Sequence, residues 1–290
     1  MVRTRDLVEE LKTRGAALVG VAPLEPLIDR PLRERAVRQA MPGAESVLVF
    51  ATSFPRGSLD AAKANPRPAR FTLHALYAEG EALSLHAARL LEREGYSAAL
   101  VPPYLPVEMG YETLGLVADV NLKHAAALAG LGSRGASDLL ITAEHGPRVR
   151  LFGVITDAEL EPTRRPGDPV DHRCTACGAC AKACPGKAIK FKKGEPKRGT
   201  FDPSDPAAPP PGLRRWGCDP RACAPNSMRH GLPTLVAFID AAAREPDPEK
   251  RLKKLKGPRT WEYWQALSQG SFYHCFECVR VCPVGRRAAS

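Results

Sequence analysis

The chain has 290 residues, 44% of them hydrophobic, with 42 Lys+Arg against 32 Asp+Glu and a formal net charge of +10. That length allows one good hydrophobic core plus a smaller domain, or two domains. No stretch approaches the roughly 18 apolar residues of a membrane span, which excludes an integral helical membrane protein.

Residues 4–14 predict an amphipathic helix, and AALVGVAP (16–23) a short buried strand stopped by Pro23. The opening MVRTRDLVEELKTRG has neither the apolar core of a Sec signal nor a twin-arginine leader, so a cytoplasmic location is expected. A helix over 31–40 and an apolar strand over 45–54 follow. Apolar residues at three- and four-residue spacing then predict a long helix over 69–96, and YSAALVP reads as the next strand. A helix over 116–132 is expected to stop at Gly130 and Gly132. DLLIT (138–142) and RVRLFGVIT (148–156) read as adjacent strands of a hairpin whose turn is AEHGP. The proline- and charge-rich stretch 161–169 reads as a linker. Two domains are therefore expected, 1–168 and 169–290. In the second, residues 190–215 hold the lowest-complexity stretch, with three successive prolines, and read as an exposed loop. A helix is expected within 232–255.

The charge is uneven. Residues 1–168 carry 20 Lys+Arg and 21 Asp+Glu, whereas residues 169–290 carry 22 and 11. A basic surface of this kind can dock an acidic electron donor such as a flavodoxin or ferredoxin, a nucleic acid or a phosphorylated cofactor.

All nine cysteines lie between positions 174 and 282. A secreted disulfide framework would spread them along the chain, so metal ligation is the expected use. Residues 174–185 read CTACGACAKACP, the bacterial ferredoxin run. Its first three thiolates hold one [4Fe–4S] cluster and its fourth ligates another. A second run, YHCFECVRVCPVG, supplies Cys275, Cys278 and Cys282. Two such runs packed antiparallel exchange their last cysteines. Cys174, Cys177, Cys180 and Cys282 are then expected on one cluster, and Cys184, Cys275 and Cys278 on the other. The second set lacks a ligand, for which Cys218 and Cys223 compete. Zinc knuckles would not need this register.

Several phrases in order resemble the superfamily of epoxyqueuosine reductases and reductive dehalogenases. They are GAALVGVAPLEPL (15–27), MPGAESVLVFA (41–51), AGLG followed by DLLIT (129–142), GVITDAELEP (153–162) and the two cysteine runs. The resemblance spans nearly the whole chain. It implies an α/β class fold, with a nitroreductase-like cobalamin-binding domain followed by a two-[4Fe–4S] bacterial ferredoxin-like domain. It also implies reductase activity, with the clusters passing electrons to cobalamin; FMN is the alternative cofactor on such a fold. CDPRAC (218–223) is similar to the family's DARRC, which favours Cys223 as the missing ligand. Departures are local. Where the family reads GLGWIGKN this chain reads GLGSRGASD (130–138), with Ser133 and Ala136 at the tryptophan and lysine positions, and the family's acid aligns near Leu116. The tRNA-gripping helical repeats have no counterpart after Cys282. A small-molecule substrate is therefore expected ahead of tRNA, and a non-catalytic electron-transfer protein is a further reading.

A reductive step needs a proton donor close to the reacting atoms. In VPPYLPVEMGYETLGLVAD (101–119), Tyr104 and Glu108 are the first candidates. Gly130, Gly132, Arg134 and Gly135 form a turn whose backbone could approach a cofactor phosphate closely.

Overall fold

The computed structural model describes residues 3–28, 31–103, 118–164, 172–191, 216–227, 232–268 and 275–285. Its largest element is a four-stranded sheet in the order β1 (Leu18–Pro23), β2 (Ser46–Ser53), β6 (Val149–Thr156), β3 (Ala98–Val101). Every pairing in it is antiparallel, with Phe50 opposite Phe152 at the centre.

Alternation along β2 sends its side chains to two different cores, because successive residues of a strand face opposite sides of the sheet. Val47 and Val49 join Ala125–Ala129 at α5 (Leu122–Leu128) and Val37 of α2 (Pro31–Ala40) on one face. Leu48 and Phe50 join Leu7 and Leu11 of α1 (Thr4–Thr13) and Leu83, Ala87 and Leu91 of α4 (Arg67–Arg93) on the other. A strand covered on both faces must be apolar throughout, which is why VLVFA is wholly buried. Helix α5 turns three successive alanines, Ala125–Ala127, into the core, and Gly153 lets it approach: a Cβ there would stand 2.7 Å from Leu122 Cδ2.

Several expected elements are redrawn. The helix foreseen over 116–132 is α5 alone among the described residues. Asn121 caps it by accepting the His124 N–H, and Gly130 ends it with φ +79°. The strands 138–142 and 148–156 do not pair with each other. Instead β5 (Leu140–Ile141) pairs back onto β4 (Ser133–Arg134), and Thr142 bridges Gly146 to close a separate tight turn. The start of the expected linker is also part of the sheet domain. The Thr163 hydroxyl donates to the Ala129 carbonyl at 2.7 Å, and its N–H donates to the Val21 carbonyl.

In the second half, α6 (Ala179–Ala183) and α11 (Glu277–Val281) pack against each other, and β7 (Ile189–Phe191) pairs with β8 (Trp216–Cys218). Helix α7 (Pro220–Ser227) follows β8 directly. The helix expected within 232–255 is α8 (Leu232–Ala243); the charged stretch after it forms a further helix, α9 (Pro248–Leu255), and α10 (Pro258–Ser268) follows. The expected exposed loop lies, beyond residue 191, outside the described residues until 216. Among the described residues, no helix is long and apolar enough to cross a membrane.

The two halves share a core. Phe54 beside β2, Leu59 of α3 (Arg56–Ala61), and Leu73 and Leu76 of α4 pack with Phe276 and Val279. The Phe54 and Phe276 rings meet edge to face at 5.7 Å.

Candidate iron–sulfur centre

Each cysteine run makes the same local shape. A CxxC segment leads into one short helix, α6 or α11, and the chain leaves it in extended backbone at Cys184 or Cys282, each followed by proline. Ahead of α6, Ala176 and Gly178 adopt left-handed backbone (φ 54° and 74°). Loops that mix backbone hands in this way form anion-binding concavities, iron–sulfur sites among them.

Packing α6 on α11 sorts the thiols. Cys174, Cys177, Cys180 and Cys282 line one cavity, which Ala136, Ser137 and Ile141 of the sheet domain also border. Cys278 touches this cavity as well, and it lies in the field of Cys275, Cys223 and Cys184. Each group thus draws members from both runs. Cys275 opens on the other side, toward a cavity of about 380 Å³ bordered by Ala62, Pro66, Pro185 and Asn226.

Burial pushes the Cys278 thiol up to about 12, and the neighbouring thiols Cys275, Cys223, Cys180 and Cys184 add to the rise. Cys180 is raised to about 11, again by burial first and by Cys174 next. Burial also raises Cys275 and Cys282. Thiolates this crowded repel one another unless a cationic centre stands among them. Among the described residues, no three Cys, His, Asp or Glu side chains converge on a single ion. The donor set is all cysteine and in ferredoxin spacing, which fits an iron–sulfur cluster.

Cys218 and Cys223 are hydrogen-bonded to each other. That bond holds Cys223 down at about 6 and pushes Cys218 upward.

The glycine turn has a neighbour that the sequence did not suggest. A Cβ on Gly135 would stand 2.6 Å from Ile141 Cγ1 and 3.5 Å from Cys174 Sγ, and one on Gly132 would stand 2.6 Å from the Ile141 carbonyl. A Cβ on Gly130 would meet Arg164 at 3.1 Å. Arg134 is ion-paired with Asp138, whose other carboxylate oxygen accepts from Lys123 Nζ at 2.7 Å. Burial would raise the Asp138 carboxyl, but the two cations outweigh it and hold the group below its ordinary value. In place of an open phosphate cradle, the turn here is a close-packed wall beside the first thiol group. Tyr104 and Glu108 lie outside the described residues.

Three further residues build the site without having been singled out. Arg148, 4% exposed, donates to the carbonyls of Val279, Cys282 and Val284. Gly146 and Gly285 meet face to face: a Cβ on Gly146 would lie 2.2 Å from the Val284 carbonyl, and one on Gly285 2.3 Å from the Gly146 nitrogen. The turn read as AEHGP is therefore a socket for the segment after Cys282.

A family profile described as a 4Fe-4S dicluster domain matches residues 173–286. A tetrachloroethene reductive dehalogenase of Dehalobacter restrictus is 36% identical over 128 residues, 43% of this chain and 23% of that protein. An epoxyqueuosine reductase of Gloeobacter violaceus is 31% identical over 159 residues, 54% of this chain and 45% of that protein. These similarities support membership of the superfamily of reductive dehalogenases and epoxyqueuosine reductases. The chain's matches span less than half the length of either of these relatives. The solved epoxyqueuosine reductase from Streptococcus thermophilus shares its fold with the chain. It aligns at a TM-score of 0.50 and 16% identity, covering 98% of this chain and 66% of that one.

Proposed function

We propose that the chain is an iron–sulfur reductase that carries single electrons through two [4Fe–4S] clusters toward a redox cofactor bound with the sheet domain. One observation carries this reading: two thiol groups, each assembled from both cysteine runs, stand side by side with Cys278 bordering both. Cys174, Cys177, Cys180 and Cys282 are assigned to the first cluster, and Cys184, Cys223, Cys275 and Cys278 to the second. When bound, the clusters supply one-electron transfer. The protein supplies position and dryness. Arg148 fixes the backbone at Cys282, Ile141 and Ala136 wall the first group, and Phe276 seals the second against the sheet domain.

The organic cofactor is proposed to be cobalamin, with FMN as the alternative. This rests on the superfamily, in which the cofactor does the difficult chemistry and the protein orients it. The cavity beside Cys275 is at the small end of ligand-binding pockets, about 300–1,000 Å³. A corrinoid with its nucleotide tail exceeds it. A cytoplasmic protein acting on a small molecule completes the proposal. Its donor would be an acidic flavodoxin or ferredoxin docking on the basic second half.

Anaerobic reconstitution with iron, sulfide and hydroxocobalamin, followed by desalting, iron counting and EPR, tests this. About eight irons with retained corrinoid support the full reading. Eight irons with FMN retained in its place support the flavin alternative, and eight with neither leave an electron-transfer protein. About four irons or fewer would sink the relay. Binding of the acidic donor should weaken steeply with salt. A gel shift with tRNA at low salt would redirect the substrate.

A further inference from the structure

Helices α8, α9 and α10 stand between Cys223 and Cys275 in the sequence, and α9 packs against both of the others. Inside the unit, the Phe238 and Tyr263 rings meet at 5.4 Å, Ala242 and Tyr263 are buried, and Arg251 donates to the Glu245 carbonyl. Each helix also carries a second apolar pair that faces water. The pairs are Val236 and Ile239 on α8, Leu252 and Leu255 on α9, and Trp261 and Trp264 on α10. A spacing of three places both members of a pair on one side of their helix. All six are 42–64% exposed, and they are six of the nine large hydrophobics exposed among the described residues. The two indoles touch edge to face, with centroids 6.2 Å apart. A surface helix ordinarily has one apolar stripe, turned to the core. A concentration of further, exposed ones marks an interaction surface.

The charge nearby selects the partner. Residues 250–259 hold six cations, four of them lysine, and no acid. Arg251 and Lys254 turn back onto Glu245, and Lys250 has Asp247 at 3.4 Å. Lys253 and Lys256 are exposed, and among the described residues no carboxylate pairs with either. A second copy of this chain would set these cations against themselves. Protein interfaces favour tryptophan but are depleted in lysine. A nucleic acid would meet the lysines and leave the four aliphatic side chains in water. Lysine, leucine and tryptophan together are the composition of helices that lie in the surface of an anionic bilayer.

We propose that α8–α10 form a docking surface for an anionic lipid bilayer, with the three apolar pairs entering the interface and Lys253 and Lys256 meeting the headgroup phosphates. The inference is independent of the cluster reading. Among the described residues no helix spans a membrane, so the attachment is to one bilayer face. Each cation held near such a surface strengthens binding about fivefold.

The test is co-sedimentation of the reconstituted full chain with vesicles of phosphatidylcholine alone and of phosphatidylcholine mixed with phosphatidylglycerol, at low and at physiological salt. Binding is expected to the mixed vesicles only, and should weaken as salt rises. Brominated lipid in the mixed vesicles should quench wild-type tryptophan fluorescence beyond plain lipid, a reading that depends on no variant. Trp261→Ala/Trp264→Ala and Lys253→Glu/Lys256→Glu should each weaken binding at least about tenfold, with melting temperature and iron content unchanged. Binding to neither vesicle, equal binding to both, or binding without quenching overturns the proposal. Folded variants that bind like wild type overturn it as well. If those variants instead lose electron uptake from a photoreduced acidic flavodoxin while wild type ignores vesicles, the surface belongs to a protein partner and the lipid assignment falls.

Discussion

The guanidinium of Arg148 donates to the carbonyl of Cys282 at 3.1 Å across 134 positions of sequence. It also donates to the carbonyls of Val279 and Val284, so one buried cation fixes the end of α11 and the chain beyond it. Cys282 is the only member of the first thiol group that comes from the second run.

Arg148→Met should therefore separate iron sites from general stability. The apolar stem is kept and the guanidinium donors are lost, leaving buried carbonyls unpaired at about 1–3 kcal/mol each. The expected result is a lower melting temperature together with iron loss that begins at the proposed first cluster. Full iron content in the variant would show that Cys282 is held without Arg148.

Gly146→Ala tests the socket. The backbone there has φ +56°, and the added carbon would lie 2.2 Å from the Val284 carbonyl, which is backbone and cannot swing aside. Strain at such a position costs on the order of 1–3 kcal/mol before the clash is counted. Limited proteolysis should cut the variant between Val281 and Gly285 faster than wild type. Equal protection would mean that the segment docks by other contacts.

Gly80→Ala sets two effects against each other inside α4. Helix propensity alone favours alanine by about 1 kcal/mol. The new carbon, however, would stand 2.2 Å from the Phe152 ring, which is 1% exposed and wedged between Phe50 and Tyr77. Overpacking typically costs about 1–3 kcal/mol, so net destabilisation is expected. The double variant Gly80→Ala/Phe152→Leu should regain part of it. Stabilisation by the single change would mean that the ring has room to move.

Asp138 gives a pH prediction. Lys123 and Arg134 depress its pKa, so the ion pairs stabilise fully above the unfolded carboxylate value of about 3.9 and are lost only as pH falls through the lower folded value. The melting-temperature gap between wild type and Asp138→Asn should stay constant from about pH 8 to pH 5. Asparagine also tolerates the left-handed backbone that Asp138 adopts, so the change tests charge rather than conformation. A gap that narrows on going from pH 7 to pH 5 would place the carboxyl above its ordinary range.

What could be read from the sequence follows the range of the interactions. The cysteine runs are legible because a cluster demands thiols at fixed local gaps. The strands β1, β2 and β6 are legible because burial on both faces forces continuous apolar runs. The expected hairpin 138–156 failed for a long-range reason. AEHGP has turn chemistry, but its Thr142–Gly146 closure serves the segment at Val284 and Gly285 rather than pairing β5 with β6. Arg148 looked like an ordinary strand residue, since its partners lie more than a hundred positions away. The glycines at 132 and 135 read as a turn open to a cofactor phosphate, and nothing local shows that the atoms packed against them belong to Ile141 and Cys174.

The interleaving of the two thiol groups also bears on how the protein is made. Cys275 follows Cys184 by about ninety residues, which a ribosome adds in roughly 5–20 s. Throughout that interval the first four thiols have emerged without the partners that complete either group. On the proposed two-cluster reading, neither metal centre can close during synthesis of the first run, so iron delivery would follow emergence of the second. A newborn chain would thus pass through a window open to oxygen, one that a tandem arrangement of two self-sufficient runs would avoid.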